Sequence, residues 1–381
     1  MSDKSEFHQP PGLYIHVPFC TKKCRYCAFY SEPVAGYDSS AVVDAMLTEM
    51  DAYEKQPRIK TAYIGGGSPS CLRHELLIKI VKAVLDRWGC PEEFTIEFNP
   101  SQTEKGQLQA LRSVGVNRIS IGAQSFDQSE LDFLGREQTV DSIDAAVGAA
   151  KAAGFENISL DLIFAIPNSS VESFGRSVDH AIDLGIQHIS AYSLSYEKGT
   201  ELLRALKAKR VMPVDEETDR RMYELAIEKL QRAGFEQYEI SNFAKKGFQC
   251  IHNHIYWAND DYIGIGPAAT THLNGRRRTN IADIEKYVTS IKANRSVVAE
   301  AESLSRIEKA CETAVLNLRR RCGIVIEEFK QKTGYDPLEL FAEVIKDHQG
   351  AGFIEVTEEG IFLTRQALSI ADSILCDFSI P

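Results

Sequence analysis

Nowhere in the 381 residues does an apolar run approach the length of a bilayer span, so no integral membrane helix is expected. The amino end, Met1 to Pro11, is polar and has no apolar core of a secretory signal. Positive charge is also in short supply. The 43 Lys and Arg face 54 Asp and Glu, and a net charge of −11 argues against a general nucleic-acid binder. The basic run Arg276-Arg277-Arg278 reads as the solvated flank of a hairpin. There is no repeat of fixed short period and no low-complexity segment. Nine cysteines, an odd number without a paired framework, fit a reducing cytoplasm better than secretion.

Three of the nine are set apart by spacing. Cys20, Cys24 and Cys27 stand at CxxxCxxC directly after the apolar run Leu13-Tyr14-Ile15-His16-Val17-Pro18, and Ala28-Phe29-Tyr30 follow with no fourth thiol. A cuboidal iron–sulfur cluster usually takes four thiolates, so three leave one iron open to a substrate. Zinc wants four ligands and would need a partner such as His16, which sits on the strand. Three unrelated thiols are the third reading.

Around this loop, strand-like and helical runs alternate. Leu13–Val17, Thr61–Ile64, Phe94–Phe98, Arg118–Ile121, Ile158–Phe164 and His188–Leu194 are short and apolar, as buried parallel strands should be. Between them lie helical periods at Val42–Tyr53, Glu75–Trp88, Thr103–Val114, Ser142–Ala153 and Val171–Leu184; Thr103 reads as an N-cap. Six such units predict an open, partial (β/α)6 TIM-like barrel. Glu216–Ala233 reads as a long helix. Near the carboxyl end, helices precede two short runs, 352–356 and 360–363, that read as a hairpin and suggest a winged-helix-like tail. The expected parts are a flexible 1–11, a barrel over 12–245, a connecting segment over 246–300 and a mainly helical domain over 301–381.

The chemical residues fall at strand ends, where a parallel barrel builds its sites. Gly65-Gly66-Gly67-Ser68-Pro69 is either a tight turn or a backbone approach to a ligand. Glu97 ends the third strand, free for solvent or for ligand hydroxyls and amines. Gln124 closes an apolar run. Asp161 puts a charge within a strand, where it needs a partner, and Arg136 is the structural candidate. His252-Asn253-His254-Ile255-Tyr256-Trp257 is either an aromatic-backed turn or a heme element with an imidazole ligand.

Taken together, these motifs resemble the radical S-adenosylmethionine (SAM) superfamily. Within it they are most similar to the heme chaperones of the oxygen-independent coproporphyrinogen III oxidase-like group. The resemblance rests on Tyr14 to Cys20, the cysteine set, the glycine turn, Glu97-Phe98-Asn99-Pro100, 119–126, Leu160-Asp161-Leu162-Ile163 and the HNxxYW run from His252. It implies that Cys20, Cys24 and Cys27 hold a 4Fe-4S cluster whose open iron takes SAM. Tyr14, Gly66 and Glu97 would contact that SAM. Tyr26, Gly67, Ser68, Gln124, Arg136 and Asp161 match a second SAM pocket, and His252 would ligate heme. Phe29 stands where the coproporphyrinogen dehydrogenase carries a further Cys, which points toward the chaperone. Ser68 replaces the usual Thr, and Ala165 stands where relatives often have Gly.

The resemblance implies heme delivery to heme-accepting respiratory proteins, with a homodimer as a further candidate partner. Anaerobic oxidation of coproporphyrinogen III and radical opening of heme are the competing enzymatic readings.

Overall fold

A computed structural model of the chain describes residues 9–53, 58–102 and 105–379. Residues 1–8 of the expected flexible end and the proposed Thr103 cap lie outside that set. Six strands follow one another as expected: β1 (Gly12–Val17), β2 (Thr61–Gly66), β3 (Glu93–Phe98), β4 (Arg118–Gln124), β5 (Asn157–Phe164) and β6 (His188–Ser193). Each pairs in parallel with the next. The crossovers carry helices α1 (Ser39–Ala52), α2 (His74–Trp88), α3 (Lys105–Ser113), α4 (Val140–Ala152) and α5 (Val171–Asp183).

The strands alternate with a strict period of two. Leu13, Ile15, Val17, Ala62, Ile64, Phe94, Ile96, Ile119, Ile121, Leu160 and Ile189 belong to the apolar core, none more than 1% exposed. Between them stand Tyr14, Tyr63, Glu97, Arg118, Ser120, Asp161 and Ser190, all lining one internal cavity. Successive strand residues point to opposite faces, so the outer row packs and the inner row stays polar. Each buried outer side chain contributes about 1.5–3 kcal/mol. On the covering layer, α2 answers with Leu77, Ile80, Val81 and Val84, all fully buried, and stops at Gly89 with φ +77°. Parallel strands with both faces buried ordinarily read as continuous apolar runs. Here the interior is reserved for something other than packing.

Beyond β6 the chain adds α6 (Glu216–Arg232) and two short strands, β7 (Glu236–Gln237) and β8 (Asn242–Ala244). The connecting segment that carries the HNxxYW run also extends the sheet. It supplies helix α7 (Ile251–Trp257) and strands β9 (Tyr262–Ile265), β10 (Thr270–Leu273), β11 (Arg276–Asn280) and β12 (Val298–Ser303). β9 pairs in parallel with β1, Gly12 opposite Tyr262. The result is one twelve-stranded sheet, ordered β12-β11-β10-β9-β1-β2-β3-β4-β5-β6-β8-β7. Residue 245 therefore marks no edge of the sheet. The tail packs α8 (Arg306–Leu318) and further helices with a three-stranded sheet, and its Ile354–Val356 and Gly360–Leu363 form the expected hairpin. Among the described residues, no helix is long and apolar enough to cross a membrane.

Candidate functional site: a polar cavity through the barrel

A cavity of about 660 Å³ occupies the barrel interior, within the range of small-molecule sites. It gathers Tyr14, Cys20, Cys24, Tyr26, Cys27, Gly66, Gly67, Ser68, Glu97, Gln124, Arg136 and Asp161 around one space. A larger cavity, about 860 Å³, lies between α6 and Arg365–Ser369, but it is lined by Glu224, Glu228, Arg232 and Arg365 with no thiol or histidine. Chemistry, not volume, distinguishes the two.

At the rim, the cysteine loop is tied down by backbone. The Arg25 N–H donates to Leu134 O at 3.1 Å, and the Leu202 N–H donates to Arg25 O at 2.9 Å. The Gly67 and Ser68 N–H groups donate to Val17 O and Phe19 O. A Cβ on Gly67 would collide with the Phe19 carbonyl, and one on Gly65 would lie 2.7 Å from the Glu97 carboxyl. Close approach is the reason for glycine at both positions. His16 is not a fourth ligand. It is buried, and its Nε2 bonds Tyr30 O at 2.9 Å, bracing the loop from behind.

The donor set suits an iron–sulfur cluster. Three half-buried free thiols face one cavity, and the Arg136 Nη1 lies 3.5 Å from Cys24 Sγ, placing a cation where a thiolate-held cluster would carry negative charge. Burial pushes the Cys20 and Cys27 thiols up, and a bound metal would deprotonate them. Among the described residues, no three His, Cys, Asp or Glu converge closely enough for a single metal ion. A single zinc would gather all its sulfurs about 2.3 Å from one ion; a multi-iron cluster binds each thiolate at a different iron, so the sulfurs stand further from one another.

Arg136 does not pair with Asp161. Its Nε donates to Gln138 Oε1 and its Nη2 to Gly122 O, both at 2.8 Å, so it serves the cysteine loop instead. Asp161 accepts from Ser120 Oγ at 3.4 Å, and burial raises its pKa. Glu97 accepts from Tyr63 OH at 2.8 Å and from the Gly66 N–H at 3.2 Å. Burial, followed by the Asp161 charge, pushes Glu97 up to about 7. It is thus poised to accept hydrogen bonds or a positive charge from a ligand. Gln124 sits at φ +69°, at a register shift between β4 and β5. Such a conformation is costly for a non-glycine residue and turns its amide toward the cavity.

At the floor the picture reverses, and His252 is engaged by protein partners. His252 is 1% exposed and does not line the cavity. Its Nδ1 bonds Thr61 Oγ1 at 2.7 Å, and its Nε2 bonds Tyr256 OH at 3.0 Å. Burial pushes its pKa down to about 3. The ring stacks on Tyr63, with centroids 5.1 Å apart. Both nitrogens of this conformation are engaged, so neither is open to an iron. The helix is held beneath the barrel because Glu93, on the inner face of β3, accepts from the Ile251 and His252 N–H groups at 3.0 Å each.

Sequence reasoning missed Tyr63, Glu93, Arg118, Ser120 and Ser190. The signal was present: Leu13-Tyr14-Ile15-His16-Val17, Glu93-Phe94-Thr95-Ile96-Glu97-Phe98 and Arg118-Ile119-Ser120-Ile121 each alternate a polar or tyrosyl residue with an apolar one. Reading them as uniformly apolar hid the inner row.

A partial parallel barrel with a three-thiol loop at its rim defines a class. Residues 14–181 match the radical SAM superfamily, and residues 304–370 match the HemN C-terminal domain. "Heme chaperone HemW" of Bacillus subtilis is 33% identical over 375 residues, covering 96% of this chain and 98% of its own. The protein of that name from Lactococcus lactis is 30% identical over 372 residues, 97% of each. The solved structure of coproporphyrinogen III oxidase (HemN) from Escherichia coli superposes with a TM-score of 0.84 at 20% identity, covering 97% of this chain and 90% of its own. This chain belongs to the HemW family of the radical SAM superfamily.

Proposed function

We propose that this chain is a cytoplasmic heme chaperone of radical SAM type, which binds heme and hands it to heme-accepting respiratory proteins. In this reading Cys20, Cys24 and Cys27 hold a 4Fe-4S cluster. Tyr14, Gly66 and Glu97 receive one SAM, and Tyr26, Gly67, Ser68, Gln124, Arg136 and Asp161 flank it or a second. When bound, cluster and SAM supply one-electron chemistry; the chain's own residues orient the ligands and exclude water. Arg136 offsets charge at Cys24, and Glu97 takes hydrogen bonds from ligand hydroxyls or an amine.

The observation that carries the chaperone reading is the mouth of the cavity. Cys20, Cys24 and Cys27 line it, and Phe29, 67% exposed, stands at that mouth where a further thiol would otherwise follow in the loop. An exposed aromatic there favours a flat apolar ligand over a further thiol chemistry. Heme ligation through His252 Nε2 requires Tyr256 to turn away.

Anaerobic reconstitution with iron and sulfide, then titration with heme in the presence and absence of SAM, tests the proposal. Stoichiometric heme uptake and transfer to an apo-hemoprotein are expected. Conversion of coproporphyrinogen III to protoporphyrinogen with SAM and reductant would overturn it in favour of the enzyme.

A further inference from the structure

Arg118 opens β4 deep inside the barrel and is among the largest fully buried side chains, 2% exposed. It lines the cavity, yet its Nε and Nη1 are buried and make no hydrogen bond. A guanidinium stays charged in any folded protein. Glu93 and Asp161 lie near enough to offset its charge, but buried N–H donors without an acceptor cost free energy, and here two are left open to a ligand. The acidic groups near it are turned to other donors. Glu93 accepts from Ile251 and His252, Glu97 from Tyr63 and Gly66, and Asp161 from Ser120. Ser190 and Asn253 line the same cavity as Arg118.

We infer that Arg118 anchors a ligand carboxylate at the floor of the cavity, held by the planar fork of its guanidinium. Arginine matches a carboxylate bidentately, in a way that lysine does not. The anchor fixes how deep the ligand sits and which end faces the thiols at the rim. The identity of the ligand rests on the function proposed above, which offers two carboxylate sources: the methionyl group of a second SAM, the first being held at the open iron, and a propionate of heme.

The test uses full-length, cluster-reconstituted protein and four probes: SAM, decarboxylated SAM, heme and heme dimethyl ester. Arg118→Met is expected to weaken one of the two acids by about tenfold or more, while its carboxylate-free counterpart binds both proteins alike. Loss confined to SAM assigns the methionyl carboxylate, and loss confined to heme assigns a propionate. The carboxylate-free probes separate anchoring from a structural role, because a merely structural arginine would weaken both members of a probe pair alike. If Arg118→Met does not fold, Arg118→Lys carries the same comparison, with charge kept and the fork lost. Binding of SAM and heme within twofold of wild type by the folded variant would overturn the inference alone. Wild-type protein that takes up neither ligand would overturn both this inference and the proposed function.

Discussion

The rim and the floor of the barrel use the same kinds of side chain to opposite ends. At the rim, Cys20, Cys24 and Cys27 are half-buried thiols that face an open cavity, and Glu97 is held up at about 7 by burial. At the floor, Cys250 is fully buried and its thiol donates to Glu93 Oε1 at 3.4 Å, while His252 is bonded at both nitrogens. The rim thiols keep part of their surface open to the cavity, whereas the Cys250 thiol is fully buried against a carboxylate. The residue type alone does not say which it will be. Arg118 is the exception at the floor, buried like its neighbours but with Nε and Nη1 making no hydrogen bond.

The sharpest way to break this contrast is to remove a rim thiol. Cys24→Ala should abolish the iron–sulfur chromophore after anaerobic reconstitution, while Cys250→Ala leaves it intact; equal loss in both would erase the distinction. Next, Glu93→Ala should unseat α7. It leaves two buried N–H groups without an acceptor, at a cost of about 2–4 kcal/mol in a denaturant titration. Unchanged stability would mean that the floor is not held as described.

A smaller effect separates availability from residue type. Tyr256→Phe frees His252 Nε2 and should tighten heme binding several-fold if that imidazole ligates, whereas His252→Ala should weaken it. Equal affinity in both variants would remove His252 from the heme site.

The charge at Glu97 gives a pH-dependent comparison. Its pKa is raised in the folded state, so protonation favours folding. That contribution is complete below about 4.5 and is lost as pH rises through about 7. Without ligand, Glu97→Gln should therefore gain on wild type between pH 5 and 8, by at most about 3 kcal/mol. A pH-independent difference in melting temperature would argue against a buried carboxyl. The smallest effect is expected at Ala165, which holds φ +57° just past β5. Ala165→Gly should stabilise by up to about 1 kcal/mol, because glycine adopts this backbone without a Cβ clash. A lower melting temperature would show that the methyl group packs well enough to offset the strain.

Much of the barrel was legible in the chain, since the outer row of each strand and the helical periods are local patterns. The cysteine loop was legible too, because its three thiols lie within eight residues. The floor was not. Its contacts join residues as far apart as Thr61 and His252, or Glu93 and Ile251. No local period reports such a pair. β9 was hidden for the same reason: four residues in a glycine-rich stretch become a strand only because β1 offers an edge for them.

The amino-acid order by itself determined the parallel strands, the covering helices and a sulfur-bearing loop at one end, because each depends on neighbours close in sequence. Only the tertiary structure decided which polar groups are already satisfied and which still await a ligand. That depends on partners brought together by the closing sheet: Tyr256 and Thr61 around His252, Gln138 and Cys24 around Arg136, and nothing at the Nε and Nη1 of Arg118.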